Sequence, residues 1–499
     1  MSPARASRRS ILAAAAGLGL TSVAACSPDT NQPSGTPTPT RSPQSLAVAL
    51  HQDGRAQVQA NLKDSNALVR ALFAEAGVAV LADPSGAALT SAIATATALK
   101  APLLITGPTL GSLVTDLRVR RLVSYATVAP SVADSVSVLP GGATPPTIEG
   151  YQPRTPTDGS AYVVTTQALQ ADPIRDALLA LAGAKVLTVK NPDPRSAEAA
   201  YDALSALEPP VIAVGSAFGP AERFEARLRT RRHAEQLPGG GFLPFPDRMM
   251  VALYGHPESA ALGMLGEQSA EAAVKRVKKV AAEYAALTAT PVIPAFELIA
   301  TVAAASPGKD GDYSRETAMS VLRPWVETAI AQGCYVVLDL QPGRTDFLTQ
   351  AKVYEELLLL PQVGIALDPE WRLGPKEKHL VQIGHVGIAE VNAVAQWLAT
   401  LVREHDLPPK VFTLHQFQTQ MIRGREQLRT DLDELQFLLH VDGSGGQGAK
   451  RATWGVMREG LPKGVFLGWK NFKDEDFPML TVAQTMAQVK PTPNFVSYQ

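Results

Sequence analysis

The chain has 499 residues, more than one hydrophobic core normally supports, so two domains are expected. Its 46 Lys and Arg nearly balance its 47 Asp and Glu, giving a net charge of −1. Phosphate recognition needs a concentrated basic patch, and no basic block occurs beyond the first residues, so nucleic acid is not expected as a partner.

The chain begins with Arg5, Arg8 and Arg9 and then runs apolar through Leu20. A basic start, a short apolar stretch and small residues before a break describe an export signal. The stretch is shorter than the roughly 20 residues of a permanent membrane helix. Ser7-Arg8-Arg9-Ser10-Ile11-Leu12 resembles a twin-arginine signal, and Val23-Ala24-Ala25-Cys26 resembles a lipobox. The resemblance implies a lipid on Cys26, a folded mass outside the cytoplasm facing the cell wall, and contact with the membrane through the lipid anchor only. Residues 26–45, rich in Ser, Thr and Pro, cannot bury a core and read as a disordered tether after the 1–25 signal. Cys334 is the other cysteine. It opens an apolar run (334–340) and reads as a small buried hydrophobe, and a lipidated Cys26 leaves it no disulfide partner.

Residues 46–245 alternate short apolar runs with helical stretches. The expected strands lie at 78–82, 102–106, 161–165, 185–189 and 211–215, and the expected helices at 86–100, 173–181 and 196–207. Repeated βαβ units of this kind predict a parallel sheet with helices on both faces. The segments VAVLADPSGAALTSAIATATALKAPLLITG (78–107) and VIAVGSAFG (211–219) resemble the cell wall binding repeat 2 family of Gram-positive surface proteins. That resemblance implies wall-polymer binding. Asp83 stands near the family's acidic turn, the usual aromatic is missing, and Gly215-Ser216 replaces its Gly-Gly. A purely structural domain is the competing reading.

Residues 246–499 carry eight apolar runs, at 249–254, 292–296, 335–340, 363–367, 411–414, 437–441, 465–467 and 495–496. Amphipathic stretches such as 266–287, 388–404 and 449–458 separate them, and a long insertion (303–325) follows the second. Eight such units predict a C-terminal (β/α)8 TIM barrel behind the N-terminal parallel-sheet domain, an α/β architecture throughout.

Barrel chemistry sits where strands give way to loops at the C-terminal rim. The expected rim residues are Tyr254 and His256, Glu297, Asp339 and Gln341, Asp368 and Glu370, His415 and Gln416, His440 and Asp442, and Trp469 and Lys470. Asp368-Pro369-Glu370-Trp371 is the sharpest motif. Two acids two positions apart on a strand face the same way with Cα atoms about 6.6 Å apart. Crowded carboxyls in a partly dry pocket push their pKa values apart, which suits glycosidic bond cleavage. The Asp-x-Glu at the end of a fourth strand resembles the chitinases and the muramidases of glycoside hydrolase family 25. It implies Glu370 as the acid and Asp368 as the group assisting the acetamido or the developing cation. The additional upstream acids of the chitinase motif are absent, with Gly364 and Ala366 in that stretch. Asp339 and Glu297 complete the expected catalytic set.

Other readings stay open. Arg344 and Arg372 lie near enough in sequence to neutralise Asp339 or Asp368 as salt bridges. Trp371 and Trp469 suit either sugar stacking or a core. His256, His415 and His440 with Glu297 and Asp442 could gather a metal, but no pair has compact metal-ligand spacing, so neither metal nor cofactor is expected. Gly443-Ser444-Gly445-Gly446-Gln447-Gly448-Ala449-Lys450 approximates a phosphate loop and reads better as a loop over the site. The leading expectation is a glycoside hydrolase-like envelope lipoprotein acting on or binding a wall glycan. The alternatives are a non-catalytic wall- or ligand-binding lipoprotein and a metal-dependent hydrolase. The segments LDLQPGR (338–344) and LDPEWRL (367–373) are similar to actinobacterial lipoproteins, a likeness that implies no activity.

Overall fold

In the computed structural model, which describes residues 46–206 and 208–499, each of the eight C-terminal apolar runs forms a parallel strand. They are β1 (Met249–Gly255), β2 (Val292–Ala303), β3 (Tyr335–Leu340), β4 (Val363–Leu367), β5 (Lys410–His415), β6 (Leu435–Val441), β7 (Phe466–Asn471) and β8 (Phe495–Tyr498). Because β1 pairs with both β2 and β8, the sheet closes into a barrel. The expected 1–25 signal, Cys26 and the 26–45 tether lie outside the described residues. Among the described residues no helix is long and apolar enough to cross a membrane.

Period-two alternation sorts each strand into two sets. Outward residues such as Val251, Leu298, Leu338, Ile365, Leu414 and Leu439 pack under the surrounding helices. Cys334 sits in that layer, where burial pushes its thiol up to about 11. Inward residues change character along the barrel axis. Met250, Ala252, Ile293, Tyr335, Val337, Val411, Leu438 and Phe495 form an apolar lower layer. Above it the same faces carry Glu297, Asp339, His415 and His440, all with no exposed surface.

The helices lie between the strands. Ala270–Ala285 begins at Ser269, whose side chain accepts from the Ala272 amide, and Val482–Gln488 begins with a Thr481–Gln484 capping box. Met319–Ala331, Phe347–Val353, Ile388–Glu404 and Gln447–Arg458 follow β2, β3, β4 and β6. After β5 the chain makes 3-10 turns at Thr419–Met421 and Arg425–Gln427 around a two-residue strand, Ile422–Arg423, in place of a helix. The insertion after β2 is a hairpin: β2 overruns its expected end and pairs antiparallel with Ser314–Glu316.

The N-terminal part departs from the single expected sheet. It contains two four-stranded parallel sheets. One orders Leu103–Ile105, Val78–Ala82, Arg121–Ser124 and Ser137–Pro140; the other orders Ala56–Gln59, Val211–Val214, Ala161–Thr165 and Ala184–Thr188. A core containing Leu81, Leu104, Val163, Leu178 and Ile212 draws on both sheets. The helix expected at 196–207 is a 3-10 segment, Ala199–Ser205, whose Tyr201 and Leu204 join a second core with Val164, Phe218 and Phe224. Asp83 accepts a hydrogen bond from Thr106 at 2.6 Å on the exposed edge of the first sheet.

The N-terminal part is joined to the lower end of the barrel. Leu237 and Phe245 enter its apolar layer, and the Phe245 amide and carbonyl both bond the side chain of Gln436 on β6. Arg227 binds Asp433 through two contacts of 2.8 and 2.6 Å, and Arg195 reaches the same carboxylate at 3.1 Å. The rim at the opposite end of the strands is thereby left free.

Burial works against a charged Asp433, yet Arg227 and Arg195 hold it below the usual carboxylate range. A depressed carboxylate stabilises the fold above its unfolded pKa, and that contribution is lost as pH falls through the folded value. Asp433→Ala should therefore cost roughly 1–3 kcal/mol near neutral pH, because it removes one of the two carboxylates, Asp433 and Asp193, that share the partly buried Arg195 and Arg227. Urea denaturation at pH 7 and pH 3 checks this, with the difference between variant and parent shrinking at the lower pH.

Candidate functional site

A cavity of about 640 Å³ opens at the barrel mouth. Its lining includes Tyr254, Gln341, Glu370, Trp371, Asp442 and Lys470, with Phe417 and Phe472 as apolar walls. Below the cavity the strands bring Glu297, Asp339, His415 and His440 together, although they lie far apart in sequence.

Two hydrogen-bonded sets run through these groups, joined by an ion-pair contact of 3.7 Å between His415 and Asp339. The Nε2 of His415 lies 3.0 Å from Oε1 of Glu297 and 3.7 Å from Oδ1 of Asp339, while its Nδ1 lies 3.0 Å from Asp442. Nδ1 of His440 contacts the same Glu297 oxygen at 3.2 Å, and its Nε2 meets Ser497 at 3.1 Å. The Tyr254 hydroxyl donates to Asp339 at 2.8 Å and accepts from Gln341 at 3.2 Å. The Lys470 ammonium lies 3.4 Å from the centre of the Tyr254 ring. Gly468 makes room for His440: a Cβ there would fall 2.9 Å from the imidazole.

Five carboxyls converge here against one lysine and the imidazoles, and the dry surroundings decide which keep a proton. Burial works against an imidazolium at His415, but Glu297, Asp442 and Asp339 lift it well above its ordinary value. In return, and against their own burial, Glu297 is held well below the carboxylate range by His440 and His415, and Asp442 is lowered by His415. Burial, with the charge of Glu297 added, raises Asp339 to about 6. Burial and then repulsion from Glu370 push Asp368 well up. Glu370, which opens on the cavity, is raised to about 7 by burial and by Asp442, against the pull of Lys470.

The two arginines near these acids in sequence are occupied elsewhere. Arg372 binds Glu390 at 3.0 and 3.2 Å and the Leu373 carbonyl at 2.7 Å. Arg344 donates to the Glu377 carbonyl at 2.9 Å and lies over the Tyr313 ring. Among the described residues neither Asp368 nor Glu370 is in an ion pair, and the buried Oδ1 of Asp368 has no hydrogen-bond partner. Glu370 sits on a 3-10 turn, Pro369–Trp371, whose Glu370 carbonyl accepts from the Gly384 amide at 2.8 Å. A Cβ on Gly384 would lie 2.4 Å from that carbonyl, so the turn has no slack on this side.

Some expected site residues stand elsewhere. Trp469, next to inward Lys470, faces outward, bonds Asn471 and packs against Trp454 at 5.6 Å. Gln416, next to inward His415, is held by Arg425 at 2.7 Å. His256 leaves the ring after β1 and bonds Thr317 at 2.9 Å. Glu297, expected at a strand end, is in the middle of β2, because that strand continues into the hairpin. The loop from Gly443 lines the cavity and is tied at Gly445 to Asp476, while Lys450 binds Asp476 and the Lys470 carbonyl. Ser497 and Phe472 escaped the sequence reading. Ser497 was traceable, lying two positions from inward Phe495 on a strand.

These features define a (β/α)8-barrel protein with an acid-rich cup at its rim. Searches of family models, curated proteins and solved structures found no match to the chain.

Because Glu370 titrates higher folded than unfolded, the folded state holds the extra proton, and stability falls as pH rises from about 4.3 toward 7. Glu370→Gln should equal the parent in stability at pH 4 and exceed it by about 1–2 kcal/mol at pH 8. The figure is discounted for the opening onto solvent. Urea titrations at the two pH values test this; equal shifts at both would contradict it.

Proposed function

We propose that this chain is a cell-envelope glycoside hydrolase-like enzyme that cleaves a wall glycan at the barrel rim. The observation that carries the reading is Glu370: an acid facing the cavity, raised to about 7, and bound by no cation among the described residues. A general acid needs a pKa near the working pH and access to the leaving oxygen. Glu370 offers both.

In the proposed reaction Glu370 gives its proton to the glycosidic oxygen as the bond to the anomeric carbon breaks; water then adds its hydroxyl to that carbon, and its remaining proton returns to Glu370. Asp368, buried beside Glu370 and itself raised, takes the role implied by the Asp-x-Glu resemblance, orienting an acetamido group. Trp371, whose buried indole nitrogen has no partner, supplies an amphipathic wall for a sugar ring. Gln341, Tyr254 and Lys470 offer the polar contacts. The envelope setting rests on the lipobox-like N-terminus, and wall binding by the N-terminal part rests on its repeat-like segments.

Glu370→Gln is expected to reduce glycan release from purified cell wall by about 10²–10⁴-fold without loss of folding. Activity of the parent should fall as pH rises through about 7, where Glu370 loses its proton. Full activity of Glu370→Gln in a reducing-sugar assay would end the assignment.

A further inference from the structure

Beneath the proposed catalytic acid lies a second set of groups that acid chemistry at Glu370 does not use. Glu297, His415 and His440 present one oxygen and two ring nitrogens that all lie within 4.8 Å of one another, and all three residues are fully buried. We propose that Glu297, His415 and His440, with Asp339 as a fourth donor, hold one divalent transition-metal ion of the zinc type below the cavity floor. This departs from the metal-free expectation drawn from sequence spacing.

The donor spacing fits such an ion. Four ligands about 2.05 Å from a tetrahedral metal lie roughly 3.3 Å apart. Three of the six edges are 3.0 Å (Glu297 Oε1 to His415 Nε2), 3.2 Å (Glu297 Oε1 to His440 Nδ1) and 3.7 Å (Asp339 Oδ1 to His415 Nε2), which bracket that figure, and the two imidazole nitrogens lie within 4.8 Å of each other. Imidazole nitrogen with carboxylate oxygen is a donor set for zinc and its neighbours rather than for calcium or magnesium.

Two further observations point inward. Oε2 of Glu297 and Oδ1 of Asp339 are buried without any hydrogen-bond partner, an uncompensated cost that a cation would offset. In addition, each imidazole is held by its far nitrogen. Nδ1 of His415 lies 3.0 Å from Asp442 and Nε2 of His440 lies 3.1 Å from Ser497, so the tautomers protonated on these far nitrogens would turn both near nitrogens, as lone pairs, toward Glu297. Histidine ligands are commonly oriented by such outer partners. On binding, the ion replaces the proton shared by His415 and Glu297, which passes to solvent. His256, tied to Thr317, takes no part.

The test uses the chelator-treated full chain, the parent and Glu370→Gln in parallel, titrated with Zn²⁺ and with Co²⁺. The expected result is one equivalent bound per chain by elemental analysis in both, a raised Tm, and a Co²⁺ visible spectrum of nitrogen-ligated, low-coordination type. His440→Ala should abolish stoichiometric binding. Ser497→Ala, a milder change that keeps the ligands, should weaken it about 10–100-fold. Absence of bound metal in the parent would overturn the proposal, as would undiminished binding in both folded variants. Because Glu370→Gln tests the acid separately, loss of glycan release without metal binding would remove this inference and leave the glycosidase reading standing.

Discussion

Closure of the strand ring is the constraint on which the rest of the structure depends. Hydrogen bonding of β1 to both β2 and β8 removes the sheet edges and encloses a lumen that side chains fill and water largely leaves. Within that enclosure a carboxyl can ionise only beside a cation or a strong donor. Glu297 and Asp442 find imidazoles, whereas Asp368 meets chiefly Glu370 and Asp339, and Glu370 meets Asp442 and a single lysine. Protonation in the cup is thus a property of the ring as a whole. It follows from how many acids the closed sheet aims at one place.

The division of labour along the barrel axis comes from the same geometry. Apolar inward residues and Phe245 seal the lower end, where the N-terminal part is attached through Arg195, Arg227 and Asp433. Ionisable residues occupy the upper end, where the loops leave room for a cavity. The Glu370 turn is braced by Gly384, by the Leu373 amide on the Gly343 carbonyl, and by the Arg372–Glu390 pair. An acid held this tightly gives up conformational freedom before any ligand arrives, the condition for precise proton delivery.

Much of this was legible in the residues. All eight barrel strands coincide with apolar runs, including the short last one at Phe495–Tyr498, because each run is bounded by turns and followed by amphipathic helix in most cases. Asp368 and Glu370 stood out as adjacent acids after a buried strand. The rim residues sorted less well. Trp469 and Lys470 are neighbours and must face opposite ways, yet both looked suitable for a site; the same holds for His415 and Gln416. Strict period-two accounting would have turned Trp469 and Gln416 outward. The split of the N-terminal strands into two sheets was not readable, since parallel strands of Val, Leu and Ala carry no mark of which sheet they join.

Local pattern alone determined the α/β character, the strand count of the barrel and the acid pair that follows β4, because these follow from periodicity and near neighbours in the chain. The tertiary structure decided the rest: the depth of Glu297, the freedom of Asp368 and Glu370 from arginine, and the meeting of Glu297, Asp339, His415 and His440. Glu297 and His440 are 143 residues apart, and no local signal encodes a contact of that range. Such contacts exist only once the ring is closed, since closure sets which inward faces share a level.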